Sequence, residues 1–104
     1  MIDAIQALLD APESGDLAAL EQTLTAGYAQ ALSLDAERWR IERRIGEVAA
    51  TLDDRDAAAK TEEIVALAKR LESSGTDLAK LRNVLASLRV RADAVRATAT
   101  RATA

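Results

Sequence analysis

The sequence has no cysteine, no histidine and no phenylalanine. Without cysteine there are no disulfides, and without cysteine or histidine the usual thiolate and imidazole metal sites are excluded. A carboxylate-only site would need spacing like that of a calcium-binding loop, and no such spacing occurs. Tyr28 and Trp39 are the only aromatic residues. A compact globule of this length normally buries several rings, because rings bring large apolar areas to a core. Glycine occurs four times and proline once in 104 residues, so a helix meets few interruptions. No apolar run is long enough to span a bilayer. The start, Met1–Leu9, holds Asp3 and no basic residue, unlike a secretory leader. These absences predict a soluble, cytoplasmic protein with no membrane contact, no cofactor and no metal.

What is present is the diet of long helices. Hydrophobic residues make up 49%, much of it alanine, and Ala, Leu, Arg and Glu are strong helix formers. Acidic residues number 17 against 14 basic, a net charge of −3. That balance gives no general attraction to nucleic acid.

Ile2, Ile5, Leu8 and Leu9 share one helical face, which predicts a short helix over 2–9, too short to be stable alone. The stretch from Asp10 to Asp16 holds Pro12, Ser14 and Gly15 and reads as a loop, with Asp16 as N-cap of the next helix. From Leu17, steps of three then four residues visit Leu17, Leu20, Leu24, Gly27, Ala31, Leu34, Arg38, Ile41, Ile45, Val48 and Leu52. Only Gly27 and Arg38 fail to be apolar. Such a heptad stripe predicts a helix over 17–52 packed against a partner helix, on the order of 50 Å long at ~1.5 Å per residue.

Aspartate is poor inside helices and good at their ends, so the cluster Asp53-Asp54-Arg55-Asp56 predicts a turn. The stripe resumes through Ile64, Leu67, Leu71, Ser74, Leu78, Leu81, Leu85, Leu88, Ala92 and Val95, predicting a helix over 57–96. Gly75 followed by Thr76 could end one helix and cap the next, which would give a three-helix bundle broken at Gly75. The heptad phase is the same on both sides, which favours one helix with a kink there. The tail, 98–104, has nothing large to bury and is expected to fray. The expected fold is therefore all-α: a single domain over 1–97, built as a long antiparallel helical hairpin with a short N-terminal helix.

Folding the hairpin at its turn pairs residues whose numbers add to about 109. Ile45 then meets Ile64, Leu24 meets Leu85 and Leu20 meets Leu88. Arg43 and Arg44 fall near Glu62 and Glu63, while Arg89, Arg91 and Arg96 fall near Glu13, Asp16 and Glu21. The apolar and charged patterns thus agree on one register.

Two features invite a functional reading. Tyr28, Leu32 and Trp39 form a second apolar stripe beside the seam, with Val65 as a smaller counterpart on the other arm. A two-helix hairpin cannot bury both seam and stripe. The stripe is therefore the expected contact surface for a second copy, giving a four-helix-bundle homodimer, or for another helical protein. Arg38, Arg40, Arg43 and Arg44 surround Trp39, a grouping that can bind an anionic nucleotide-type ligand or RNA. Glu37, Glu42 and Glu47 interleave with them, which favours a solvated helix face instead. Arg38 occupies a seam position, where a polar layer sets register at some cost in stability. No nucleophile–base pattern or phosphate loop is present, so no catalytic residue and no enzymatic activity are expected.

Gly15-Asp16, followed by Leu17, Leu20 and Leu24 and then by Leu34-x-x-Glu37-Arg38, resembles bacterial flagellar export chaperones of the FlgN/FliT kind. The resemblance covers Gly15–Arg44, about a third of the chain. It implies a small, acidic, cytoplasmic helical hairpin whose C-terminal helix, around Leu78–Val95, clasps an amphipathic segment of an export substrate. The chain departs from that family in being short and in lacking a full helix before Gly15.

Overall fold

The computed structural model describes residues 1–10, 16–53 and 55–103. The loop expected between Asp10 and Asp16, including Glu13 and Gly15, lies outside the described residues except at its two ends, as does Asp54 of the turn. Three helices occur in order: α1 (Ile2–Asp10), α2 (Leu17–Ala50) and α3 (Ala57–Thr103). No strand occurs among the described residues. The all-α architecture and its long helix pair are those the heptad stripes predict.

Asp16 caps α2 as expected. Its Oδ1 accepts from the Ala19 N–H at 3.1 Å and its carbonyl accepts from the Leu20 N–H at 3.1 Å, satisfying donors that a helix start leaves free. The far end of α2 stops at Ala50, two residues before the expected limit, and Leu52 sits exposed in the turn rather than on the seam. The last turn tightens, with the Thr51 N–H bonding to the Val48 carbonyl and the Leu52 N–H to that of Ala49. Lys60 Nζ donates to the Thr51 carbonyl at 2.7 Å. Asp56 has φ of 65°, the left-handed region, where aspartate is tolerated because its short polar side chain bonds locally.

The favoured expectation of one helix through Gly75 matches α3, which runs unbroken from Ala57 to Thr103, and the alternative of a break there does not. No glycine among the described residues has positive φ, and Thr76, expected as a cap, instead bonds back through Oγ1 to the Glu72 carbonyl at 3.2 Å. The three-helix bundle broken at Gly75 is therefore excluded. Nor does the helix end at 96: residues 98–103 of the tail are helical. Alanine favours the helix, and Thr98 and Thr100 return their hydroxyls to the carbonyls of Ala94 and Arg96, each at 3.0 Å.

Two compact units occur: Met1–Ala31 with Ala79–Ala104, and Leu32–Leu78. In the first, three helices meet. Ile5, Leu20, Leu24, Leu81, Leu85, Leu88 and Ala92 are buried. Gly27 lies on the seam because Leu85 fills the space a side chain would need there, with Ile5 Cδ1 alongside. Leu85 was expected opposite Leu24; it packs one turn further along α2. Arg91 donates to the Leu9 carbonyl at 3.0 Å and so ties the end of α1 to α3. Arg96 pairs with Glu21, about two turns away from the partner that counting from the turn gives it, Glu13, which lies outside the described residues.

Of the three helices, only α2 and α3 contribute to the second unit. Arg44 Nε meets Glu63 Oε1 at 2.9 Å and Arg70 meets Glu37 at 3.4 Å; as α2 numbers rise their α3 partners fall, so the two stretches are antiparallel. Ile41, Val48 and Leu78 are buried, but Leu34, Ile45, Ile64, Leu67 and Leu71 are only half-buried. Two helices cover the centre of their common seam and leave its borders wet.

Candidate interaction surface

Within the second unit, heptad position sorts side chains to opposite sides. Glu37, Arg44, Glu63 and Arg70 each come directly before a seam residue: Arg38, Ile45, Ile64 and Leu71. They share one side and are joined there as ion pairs. Leu32, Trp39 and Val65 each come directly after a seam residue: Ala31, Arg38 and Ile64. They share the other side. Leu32 and Trp39 are each 71% exposed and Val65 48%. Trp39, Glu42 and Arg43 line a shallow open depression there. The residues beside them on α3, Ala58, Thr61, Ala68 and Glu72, are exposed as well.

Tyr28 belongs to the first unit. Its ring is 41% exposed, and its hydroxyl hydrogen-bonds Arg89. That bond first, with the Asp93 carboxylate nearby, holds the Arg89 guanidinium above its ordinary range, against an opposing effect of desolvation. Tyr28 is thus engaged within its own unit, whereas Leu32 and Trp39 present apolar surface to solvent.

The four arginines around Trp39 differ in their surroundings. Arg43 lies 3.7 Å from Glu47, and Arg44 is shared between Glu47 at 3.6 Å and Glu63 at 2.9 Å. The hydrogen bond from Arg44 to Glu63, and then the Glu63 charge, hold Arg44 above its ordinary range. Arg40 is exposed. Arg38 is half-buried; its Nε and the Ser74 Oγ are both removed from solvent with no protein hydrogen-bond partner. Its guanidinium lies over Gly75, with one nitrogen 3.3 Å from where a Cβ would stand. Gly75 therefore makes room for Arg38, a role that the sequence pattern alone presented as a helix breaker.

Val90, 70% exposed on α3 in the first unit, is an apolar surface residue that the seam pattern did not single out. Among the described residues no acidic group is placed to hold a metal ion, and no helix is long and apolar enough to cross a membrane. No family model, curated protein or solved structure matches this chain.

Proposed function

We propose that this protein is a non-catalytic helical interaction module. It binds a helical surface, its own or another protein's, through the side of the 32–78 unit that carries Leu32, Trp39 and Val65. The observation behind this reading is that Leu32 and Trp39 stand 71% exposed one heptad apart, opposite the ion-paired side of the unit. A large aromatic with aliphatic neighbours is the usual centre of a binding hot spot. The half-buried seam residues would be covered by the same contact.

The test is light scattering and co-purification from native cells, comparing wild type with Leu32→Glu combined with Trp39→Glu. Loss of a higher mass, or of a co-purifying protein, is expected in the double variant. If both proteins are monomers and retain the same co-purifying set, the proposal fails.

The export-chaperone reading rests on the resemblance over Gly15–Arg44 and would put a substrate on α3 around Leu78–Val95. Leu78, Leu81, Leu85, Leu88 and Ala92 are buried there, so a substrate would have to open existing packing to reach them. The anionic-ligand reading through Arg38, Arg40, Arg43 and Arg44 is weakened by the carboxylate pairing of Arg43 and Arg44. Salt-sensitive binding that disappears in Arg40→Glu with Arg43→Glu would revive it.

A further inference from the structure

The two units differ in how dry their seams are. In the 32–78 unit, Leu34, Ile45, Ile64, Leu67 and Leu71 are only half-buried. In the first unit, Leu20, Leu24, Leu81, Leu85 and Leu88 are buried. The element that the first unit has and the second lacks is α1. In the first unit α1 therefore closes a groove that two helices by themselves leave open.

The attachment of α1 is light. It spans nine residues, Ile2–Asp10, fewer than a helix needs to persist alone in water. Ile5 is buried completely, while Ile2, Leu8 and Leu9 are half-buried. The Ile5 Cδ1 lies 3.5 Å from the point that a Gly27 Cβ would occupy, next to Leu85. The last carbonyls of a helix lack partners within it. Here the Leu9 carbonyl accepts from Arg91 Nη2 at 3.0 Å. So α1 is anchored at Ile5 and clamped at Leu9. A short element held in this way opens locally at less cost than the whole fold.

Beyond the interaction reading above, and on a different surface, we propose that α1 is a releasable strap and that a short amphipathic helix of another protein takes its place between α2 and α3. The chemistry of that helix is read from α1. It carries isoleucine or leucine at the spacing of Ile2, Ile5, Leu8 and Leu9, with the second of these set against Gly27 and Leu85. Its C-terminal carbonyls face Arg91. A basic side chain beside those carbonyls is disfavoured, because the Arg91 guanidinium already stands there. The incoming helix competes with α1, so its apparent affinity falls with the fraction of chains in which α1 is seated.

The test uses the full chain. In native-state hydrogen exchange, the amides of Gln6–Asp10 are expected to exchange at least about 100-fold faster than those of Leu81–Leu88. Arg91→Ala is expected to quicken the first group about tenfold and leave the second unchanged. Ile5→Asp is expected to lose the helical signal of α1 alone. A synthetic peptide of residues 1–10 is then added to isotope-labelled Ile5→Asp protein at a concentration on the order of millimolar, that of a segment on a short tether. The Gly27 and Leu85 amide resonances are expected to shift. In the wild type, where α1 holds the seat, the same shifts should need at least about tenfold more peptide. Equal protection of α1 and α3, unfolding of α2 and α3 in Ile5→Asp, or a peptide that leaves Gly27 and Leu85 unmoved each overturns the proposal. None of these outcomes involves Leu32 or Trp39, so the interaction reading of that side stands or falls separately on its own double variant.

Discussion

Leu85 of α3 occupies the space beside Gly27 of α2 where any other residue would carry its Cβ. Leu85 is 2% exposed and neighbouring Ile5 is fully buried, so one missing methyl on α2 lets side chains from α1 and α3 meet. The same residue type at Gly46 faces open space. Alanine at the two positions should therefore act in opposite directions. Gly27→Ala should destabilise by about 1–3 kcal/mol, as overpacking does. Gly46→Ala should stabilise by about 1 kcal/mol, the helix-propensity difference. Urea unfolding followed by circular dichroism measures both, and equal signs would contradict the packing described.

Arg38 and Ser74 lead to a second prediction. Arg38 Nε and Ser74 Oγ are shielded from solvent and make no protein hydrogen bond, so each carries a desolvation cost without return. Replacing both, Arg38→Met with Ser74→Ala, should raise stability by about 1–2 kcal/mol. The urea midpoint should move up with an unchanged slope. A fall in the midpoint would show that the pair is satisfied in solution.

At the start of α2, Asp16→Ala should cost about 1 kcal/mol through loss of the cap on the Ala19 N–H, and Asp16→Asn should retain most of it. The comparison separates a hydrogen-bonding cap from a charge effect, because asparagine keeps the acceptor and drops the charge. Thermal unfolding of the three proteins decides it.

The pH dependence is set by which groups are shifted. Arg44 and Arg89 are both raised, by Glu63 and Tyr28 respectively. A group with a raised folded-state value contributes its stabilisation fully below its unfolded value and loses it only as pH climbs through the folded one. For arginine both lie in strongly alkaline solution, and there is no histidine. Neither arginine should therefore change the melting temperature between about pH 6 and pH 9. A slope in that window would mean that some other group changes its environment on folding.

Helix existence was legible in the sequence because it depends on local spacing. The stripe from Leu17 to Val48 and the stripe from Ile64 to Val95 each repeat at the heptad period, and that repeat permits one kind of element. The Asp16 cap and the pairing of Arg44 with Glu63 were legible for the same reason, since a cap acts within one turn and a register comes from counting away from the turn. The exposed stripe was legible in part: Leu32 and Trp39 face solvent, while Tyr28 is engaged by Arg89.

The role of glycine was not legible. Gly27 interrupts the seam pattern and Gly75 sits where a helix might end, yet one is a socket for Leu85 and the other a seat for the Arg38 guanidinium. Glycine has no side chain to report its surroundings, so its role is set by residues 37 to 58 positions away along the chain. Local residue order was enough to specify the helices, the Asp16 cap and the spacing along each stripe. Three features needed the packed chain: the run of α3 beyond 96 to Thr103, the seating of Leu85 and Ile5 at Gly27, and the division of the 32–78 unit into an ion-paired side and an uncovered side carrying Leu32 and Trp39. Periodicity is a property of one segment, whereas filling a gap and closing a side depend on which distant side chains arrive there.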